Sequence, residues 1–245
     1  MAQTILYDFR SSICSQMARL ALEEKGVAYT RREIDIMIAN EQFERWYVDL
    51  NPKSVVPTLE LNGEIVTDTI RIVTRIDELD GPDLSGNDTT QNWLLDIMSL
   101  HYGVLMYSNR GKSGEIAPQI VARGKYLEKL AEMRPDLTEM IEKRLEGNQR
   151  FQKLLRDPKG IAQHYDATQS LIDRMASSVA QTTFIAGDAY SLADCFATAA
   201  LARFTIHNLS GSWAGSALET YYCAMKARPS FVAAEVIDTG TEQDL

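Results

Sequence analysis

Apolar positions in the first eighty residues switch repeatedly between a period of two and a helical period, so strands and helices alternate there. Thr4 to Phe9 (TILYDF) reads as a buried strand that stops at a polar Arg10-Ser11-Ser12 corner. Met17, Leu20 and Ala21 then recur at helical spacing and end at Lys25-Gly26, a favourable helix stop. Val27 to Ile36 alternates as a second strand, and the segment holding Phe43, Trp46 and Tyr47 predicts one short helix. Two strand-like runs, Thr58-Leu59-Glu60-Leu61 and Glu64-Ile65-Val66, flank Asn62-Gly63, the strongest short-range hairpin signal. After Thr67-Asp68-Thr69 the helical spacing resumes through Ile70, Val73 and Ile76. The expected order is β-α-β-α-β-β-α.

The stretch from Asp80 to Asp88 (DGPDLSGND) is rich in breakers and reads as a linker. Beyond it the strand patterns vanish. Helical stretches follow, punctuated by Gly111, Pro118, Pro135, Asp157-Pro158 and Gly187. The division expected is an α/β domain at 1–80, a linker at 81–90 and an all-α domain at 91–245, two packed units rather than one continuous sheet.

Composition narrows the partners. A formal net charge of -9 repels phosphate backbones and anionic lipid, and the basic residues Lys129, Arg134, Lys143, Arg144 and Arg150 are interleaved with acids. Neither nucleic acid nor a membrane is expected as a partner. No apolar run approaches a membrane span, and the opening Met-Ala-Gln-Thr has neither basic flank nor signal-peptide core, which points to the cytoplasm. The three cysteines, Cys14, Cys195 and Cys223, are too few and too scattered for a disulfide framework. His101, His164 and His207 form no metal-like cluster, so no metal is expected.

Three short stretches could carry chemistry. Ser11-Ser12-Ile13-Cys14-Ser15 opens the first helix, where unpaired backbone N–H groups and the positive end of the helix dipole favour a thiolate. The plainer reading is a serine cap with Cys14 as a small buried hydrophobe. Val56-Pro57 stands directly before a strand; a cis bond there would free the Val56 backbone to pair with an extended peptide, while a trans bond is the ordinary alternative. Asp68-Thr69 opens the third helix and suits a ligand with both an ammonium and a carboxylate, or else is a simple N-cap. Ser191-Leu192-Ala193-Asp194 has a capping-box pattern and reads as structural.

Taken in order, the serine/cysteine corner, Asn51-Pro52 through Val56-Pro57, Asp68-Thr69, and Phe184-Ile185-Ala186-Gly187-Asp188 leading into Ser191-Leu192-Ala193-Asp194 resemble the glutathione transferase superfamily over nearly the whole chain. Ser12-Ile13-Cys14-Ser15, Arg19-Leu20-Ala21 and Val55-Val56-Pro57-Thr58-Leu59 are similar to two of its branches, the bacterial tetrachlorohydroquinone reductive dehalogenases and the zeta-class maleylacetoacetate isomerases. Ile13 stands where the isomerases usually carry the second of two serines, and Glu23-Glu24, Asp35-Ile36 and the Met225-to-Phe231 segment are nearer to the dehalogenases. Many relatives have Glu-Ser or Gln-Ser where this chain has Asp68-Thr69.

The resemblance implies a thioredoxin-like N-terminal domain and an all-α C-terminal domain, with glutathione as the cosubstrate. It implies that Ser12 holds the glutathione sulfur as thiolate and that Cys14 resolves a glutathionyl–substrate adduct. Val56 would pair with the cysteinyl backbone beside a cis Pro57, and Asp68 and Thr69 would hold the γ-glutamyl end. The second substrate would be a small aromatic or quinone-like electrophile, attacked by reductive dehalogenation or by displacement, including aryl-ether cleavage. Trp93, Met98, His101, Tyr102, Met106 and Tyr107 form an aromatic and thioether-rich segment suited to such a ligand, or to core packing between helices. The resemblance also implies a dimer, with itself or with a related chain. Alternatives are cis–trans isomerisation of maleyl acids, and a glutathione-binding or scaffold protein without turnover.

Overall fold

The structure, a computed structural model, describes residues 4–108 and 116–239. The expected break at Gly111 and the opening Met1–Gln3 lie outside the described residues. Four strands, β1 (Thr4–Asp8), β2 (Thr30–Glu33), β3 (Thr58–Leu61) and β4 (Glu64–Thr67), form one mixed sheet in the order β2-β1-β3-β4. β1 runs parallel to β2 and antiparallel to β3, and β3 and β4 form a hairpin. Asn62 and Gly63 take φ of 53° and 85°, the two positive values that a tight I′ turn needs. With α1 (Ile13–Lys25), α2 (Arg45–Leu50) and α3 (Thr69–Asp77), the order is the expected βαβαββα, a thioredoxin-like arrangement.

The second strand is shorter than its alternating pattern. It stops at Glu33, and the chain turns where the Asp35 carboxylate accepts from the backbone N–H groups of Met37, Ile38 and Ala39. A local side-chain acceptor competes there with the strand ladder. A single 3₁₀ turn, Glu41–Phe43, precedes α2.

Beyond residue 81 the described secondary structure is helical apart from one isolated bridge between Phe184 and Gly187. The helices are α4 (Thr90–Ser99), α5 (Tyr102–Tyr107), α6 (Pro118–Met133), α7 (Thr138–Leu155), α8 (Pro158–Val179), α9 (Leu192–Ile206), α10 (Ala217–Lys226) and α11 (Pro229–Ala233). Pro118 and Pro158 each occupy a first helical position, where their missing N–H costs nothing. The chain forms two compact units: Met1–Ser99 with Leu171–Leu245, and Leu100–Ser170, the boundary falling within α8. Within the second unit α6 packs on α7.

In the first unit α1 is buried on nearly every side, between α3, α9 and α11. Gly26 ends it in the left-handed conformation at φ 71°, as Lys25-Gly26 predicted. α9 is the other buried helix, and its start is the expected capping box. Ser191 accepts from the backbone N–H of Ala193, and Asp194 accepts from that of Ser191 at 2.8 Å. Asp194 also takes the Ile185 N–H at 3.0 Å and the Tyr221 hydroxyl at 2.7 Å, so its role is to tie α9 to the preceding loop and to α10.

One buried ion pair lies beneath the β1–α1 connection. Asp8 and Arg19 are 0% and 1% exposed. Arg19 pairs with Asp8 through one guanidinium nitrogen, reaches the Arg10 carbonyl at 2.9 Å with another, and reaches the Ala234 carbonyl at 2.6 Å through Nε. Arg31 completes the set, 2.7 Å from Asp8 and 2.8 Å from Glu235. Asp8→Ala leaves the buried Arg19 charge uncompensated, so it is expected to cost about 3–5 kcal/mol of stability, read as a large fall in urea midpoint. A change below about 1 kcal/mol would contradict the importance of the pair.

Candidate functional site

Strand register brings three separate pieces of chain to one end of the sheet. Tyr7 pairs with Thr58 and Thr58 with Thr67, so β1 ends, β3 begins and β4 ends side by side. The residues just beyond those ends are the Phe9–Ser12 corner, Val56-Pro57 and Asp68-Thr69. All three sequence-predicted stretches therefore meet at one edge, although some forty-five residues separate the first from the second.

Ser12 is the N-cap of α1. Its backbone N–H donates to the Phe9 carbonyl at 3.0 Å, and its hydroxyl oxygen accepts from the Ser15 N–H at 3.3 Å. A hydroxyl that accepts at a cap retains its proton for donation elsewhere. The carbonyls just before it are held from behind: Arg10 by Arg19 and by Gln16 Nε2 at 3.4 Å, and Ser11 by the guanidinium of Arg203. Cys14 is half-buried in the first turn of the same helix. Burial pushes its thiol above the ordinary value; a hydrogen bond from the Thr69 side chain and the positive charge of Arg203 pull the other way, and Asp68 adds to the rise.

Val56 and Pro57 are joined by a cis peptide bond, as the resemblance implied. The turn carrying them is braced from within. The Val55 carbonyl accepts from the Tyr47 hydroxyl at 2.7 Å and from Asn51 Nδ2 at 2.9 Å, and both side chains also reach Thr58 Oγ1, at 3.1 and 2.9 Å. Tyr47 and Asn51 are fully buried. Val56's own backbone N–H and C=O make no hydrogen bond among the described residues. These are the groups that an extended peptide would pair with.

Asp68 caps α3 at φ 82°, its carboxylate accepting from the Arg71 N–H at 3.3 Å, and it is exposed. Thr69 is buried and reaches Cys14. The starts of α1 and α3 thus converge, each with unpaired first-turn N–H groups and a positive dipole end. Such a pair of helix starts fits a tripeptide that carries both a thiolate and a carboxylate.

The aromatic segment divides between the two units. In the first, Trp93 on α4 faces the core, with the Arg174 guanidinium 5.1 Å from its ring, and Met98 is half-buried. In the second, His101 is exposed and stacks on Phe151 at 4.5 Å, Tyr107 meets Phe151 edge-on at 6.2 Å, and Tyr102 and Met106 are half-buried.

Sequence reasoning did not single out Arg203, Tyr47 or Asn51 as supports for this edge. For Arg203 a signal existed: an arginine within Ala199-Ala200-Leu201-Ala202-Arg203-Phe204, on a helix patterned for burial, must have a specific partner. Asn51 and Tyr47 carried none, because their hydrogen bonds depend on how the turn closes.

The glutathione S-transferase N-terminal domain profile matches residues 11–79. Along 97% of both chains, this protein is 32% identical to a tetrachloro-p-hydroquinone reductive dehalogenase from Sphingobium chlorophenolicum. It matches a maleylacetoacetate isomerase from Dictyostelium discoideum at 32% identity, over only 31% of this chain and 35% of that one. Among solved structures, the β-etherase LigF from Sphingobium sp. strain SYK-6 shares the fold at TM-score 0.67 and 17% identity, covering 95% of this chain and 98% of the other. The chain belongs to the glutathione transferase superfamily, whose cosubstrate is glutathione.

The state of Cys14 is directly measurable. With its pKa raised, the thiol is neutral below that value and becomes the reactive thiolate only above it. In a Cys223→Ser background, which removes the exposed cysteine, iodoacetamide should modify ligand-free protein at Cys14 with a pH midpoint above that of an ordinary thiol. A midpoint at or below the ordinary value would contradict the balance of burial, hydrogen bond and charge described above.

Proposed function

We propose that this protein is a glutathione-dependent enzyme acting on an aromatic or quinone-like electrophile, with reductive dehalogenation as its reaction. The reading rests above all on one observation: a protein thiol, Cys14, lies two residues past the N-cap Ser12, in the first turn of α1. The whole-length similarity to a reductive dehalogenase supports it.

Glutathione supplies the attacking thiol. A free thiol with pKa near 8.5 is only a few per cent ionised at pH 7, and lowering that by ~2 units corresponds to about 2.7 kcal/mol. In this reading Ser12 donates its hydroxyl proton to that sulfur, and the α1 N-terminus adds its dipole. Val56 pairs with the cysteinyl backbone beside Pro57. Asp68 takes the γ-glutamyl ammonium. Thr69 serves the γ-glutamyl carboxylate through the hydroxyl and backbone N–H groups at the start of α3.

After displacement of halide, the ring carries glutathione as a thioether. The Cys14 thiolate attacks that sulfur, the sulfur–aryl bond breaks, and its electron pair goes to the ring carbon, which takes a proton. Cys14 is left in a disulfide with glutathione. A second glutathione thiolate frees Cys14 and leaves as glutathione disulfide, so two thiols supply the two electrons that replace halogen by hydrogen.

Simple displacement or aryl-ether cleavage would end at the thioether and would leave Cys14 without a task. The isomerase alternative has support over less than a third of the chain. The same reading includes a dimeric, cytoplasmic protein in which residues 1–80 serve glutathione and residues 91–245 the electrophile.

Two substitutions separate the mechanisms. With tetrachlorohydroquinone and glutathione, Ser12→Ala should slow thiolate attack roughly ten- to a hundredfold, the worth of one lost donor to a charged sulfur. Cys14→Ser should leave that attack intact but let the glutathione–arene thioether accumulate, as read by mass spectrometry of single-turnover mixtures. Unchanged product in both variants would overturn the assignment, and a silent Cys14→Ser alone would favour simple displacement.

A further inference from the structure

In the first unit a cavity of about 460 Å³ opens between the end of α8, the loop that follows it and α10. That volume suits a small-molecule pocket. Phe184, Tyr221 and Met225 supply apolar walls, the last two only 5% and 4% exposed. Arg228 also lines it and is the one charged residue of that lining among the described residues. Arg228 pairs with Glu24, which lies ten residues beyond Cys14 on α1. Ten residues of helix span about 15 Å, so the cavity is well removed from the Ser12 edge.

The walls are braced by groups outside the lining. The Tyr221 hydroxyl donates to Asp194 at 2.7 Å, and Phe184 meets the Tyr190 ring edge-on at 5.5 Å. The Phe184 backbone exchanges hydrogen bonds with Gly187 at 2.8 and 3.2 Å, and Thr182 Oγ1 lies 3.0 and 2.8 Å from the Ser178 and Phe184 carbonyl oxygens. A pocket held in this way pays little ordering entropy when a ligand enters.

Its polar groups narrow the ligand. Arg228 Nε and Nη2 donate to the Glu24 carboxylate at 2.6 and 2.5 Å, and the guanidinium stacks 4.1 Å from the Tyr190 ring. Glu24 balances the Arg228 charge, so what Arg228 offers is a fixed donor: Nη1 makes no hydrogen bond among the described residues. The hydroxyl of Thr220, an exposed residue of the lining, makes none either. No carboxylate lines the cavity among the described residues, so a cation finds no partner there. An acid group has two oxygens for these two donors, and its bond to a guanidinium is charge-assisted. The Arg228 side chain is 34% exposed, so that acid stays near water while the ring lies on the buried walls.

We propose that this cavity is a ligand site for a small planar arene carboxylate, its ring against Phe184, Tyr221 and Met225 and its acid group at Arg228 and Thr220. The site is independent of how Cys14 reacts.

The test titrates the full chain, labelled with [13C-methyl]methionine, with naphthalene-2-carboxylate and follows the methyl resonances by NMR. The Met225 signal, assigned by its loss in Met225→Leu, should shift saturably with a midpoint of roughly 1 mM, whether or not saturating glutathione is present. The neutral isostere naphthalene-2-carboxamide should bind roughly fivefold more weakly. Ala224→Phe fills the cavity from an exposed position on α10 and should weaken binding by roughly tenfold or more. No saturable shift up to about 10 mM would overturn the proposal, as would a shift that survives Ala224→Phe. Equal binding of the carboxamide, or loss of the shift when glutathione is added, would overturn it too.

Discussion

The buried pair of Asp8 and Arg19 is the constraint on which the site depends. Asp8 is the last residue of β1 and Arg19 lies at the middle of α1, so their contact sets where the helix sits against the strand that feeds it. The remaining Arg19 donors then hold the Arg10 carbonyl and the Ala234 carbonyl near the far end of the chain. A carboxylate and a guanidinium are too costly to bury unless every donor has an acceptor, and that requirement makes the arrangement specific. The corner bearing Ser12 and Cys14 is held to the core by ionic groups rather than by apolar packing alone.

Built on that corner, the site consists mainly of backbone. In the proposed reading, two helix starts contribute N–H groups, Val56 contributes backbone groups that make no hydrogen bond among the described residues, and Ser12, Cys14, Asp68 and Thr69 contribute side chains. Recognition by backbone places few demands on residue type. A chain can therefore share the fold with LigF at 17% identity. In the proposed function the fold provides for an activated thiolate, and the choice between displacement and reduction falls to Cys14.

Much of this was legible in the sequence because the decisive signals are local. Asn62-Gly63 dictates its turn, Lys25-Gly26 its helix stop, and Ser191-Leu192-Ala193-Asp194 its capping box, each through chemistry confined to a few residues. The strand at Val27–Ile36 was overextended because alternation continues past Glu33, while the Asp35 carboxylate captures three backbone N–H groups and turns the chain. The supporting network was not legible for a different reason. Arg19 and Ala234 are separated by 215 positions, and Arg203 and Ser11 by 192, so nothing in a short window relates them. An arginine amid alanines announces a buried charge without saying which carbonyl receives it.

In the proposed reaction Cys14 takes part in the electron balance, and one measurement addresses that directly. Wild-type protein is mixed with a polychlorinated hydroquinone and a single equivalent of glutathione, quenched by acid, and digested for mass spectrometry. The peptide containing Cys14 is predicted to carry glutathione through a reducible disulfide, in step with the appearance of ring product that has lost chlorine and gained hydrogen. An unmodified Cys14 peptide, with all of the glutathione bound to the ring as a stable thioether, would contradict it.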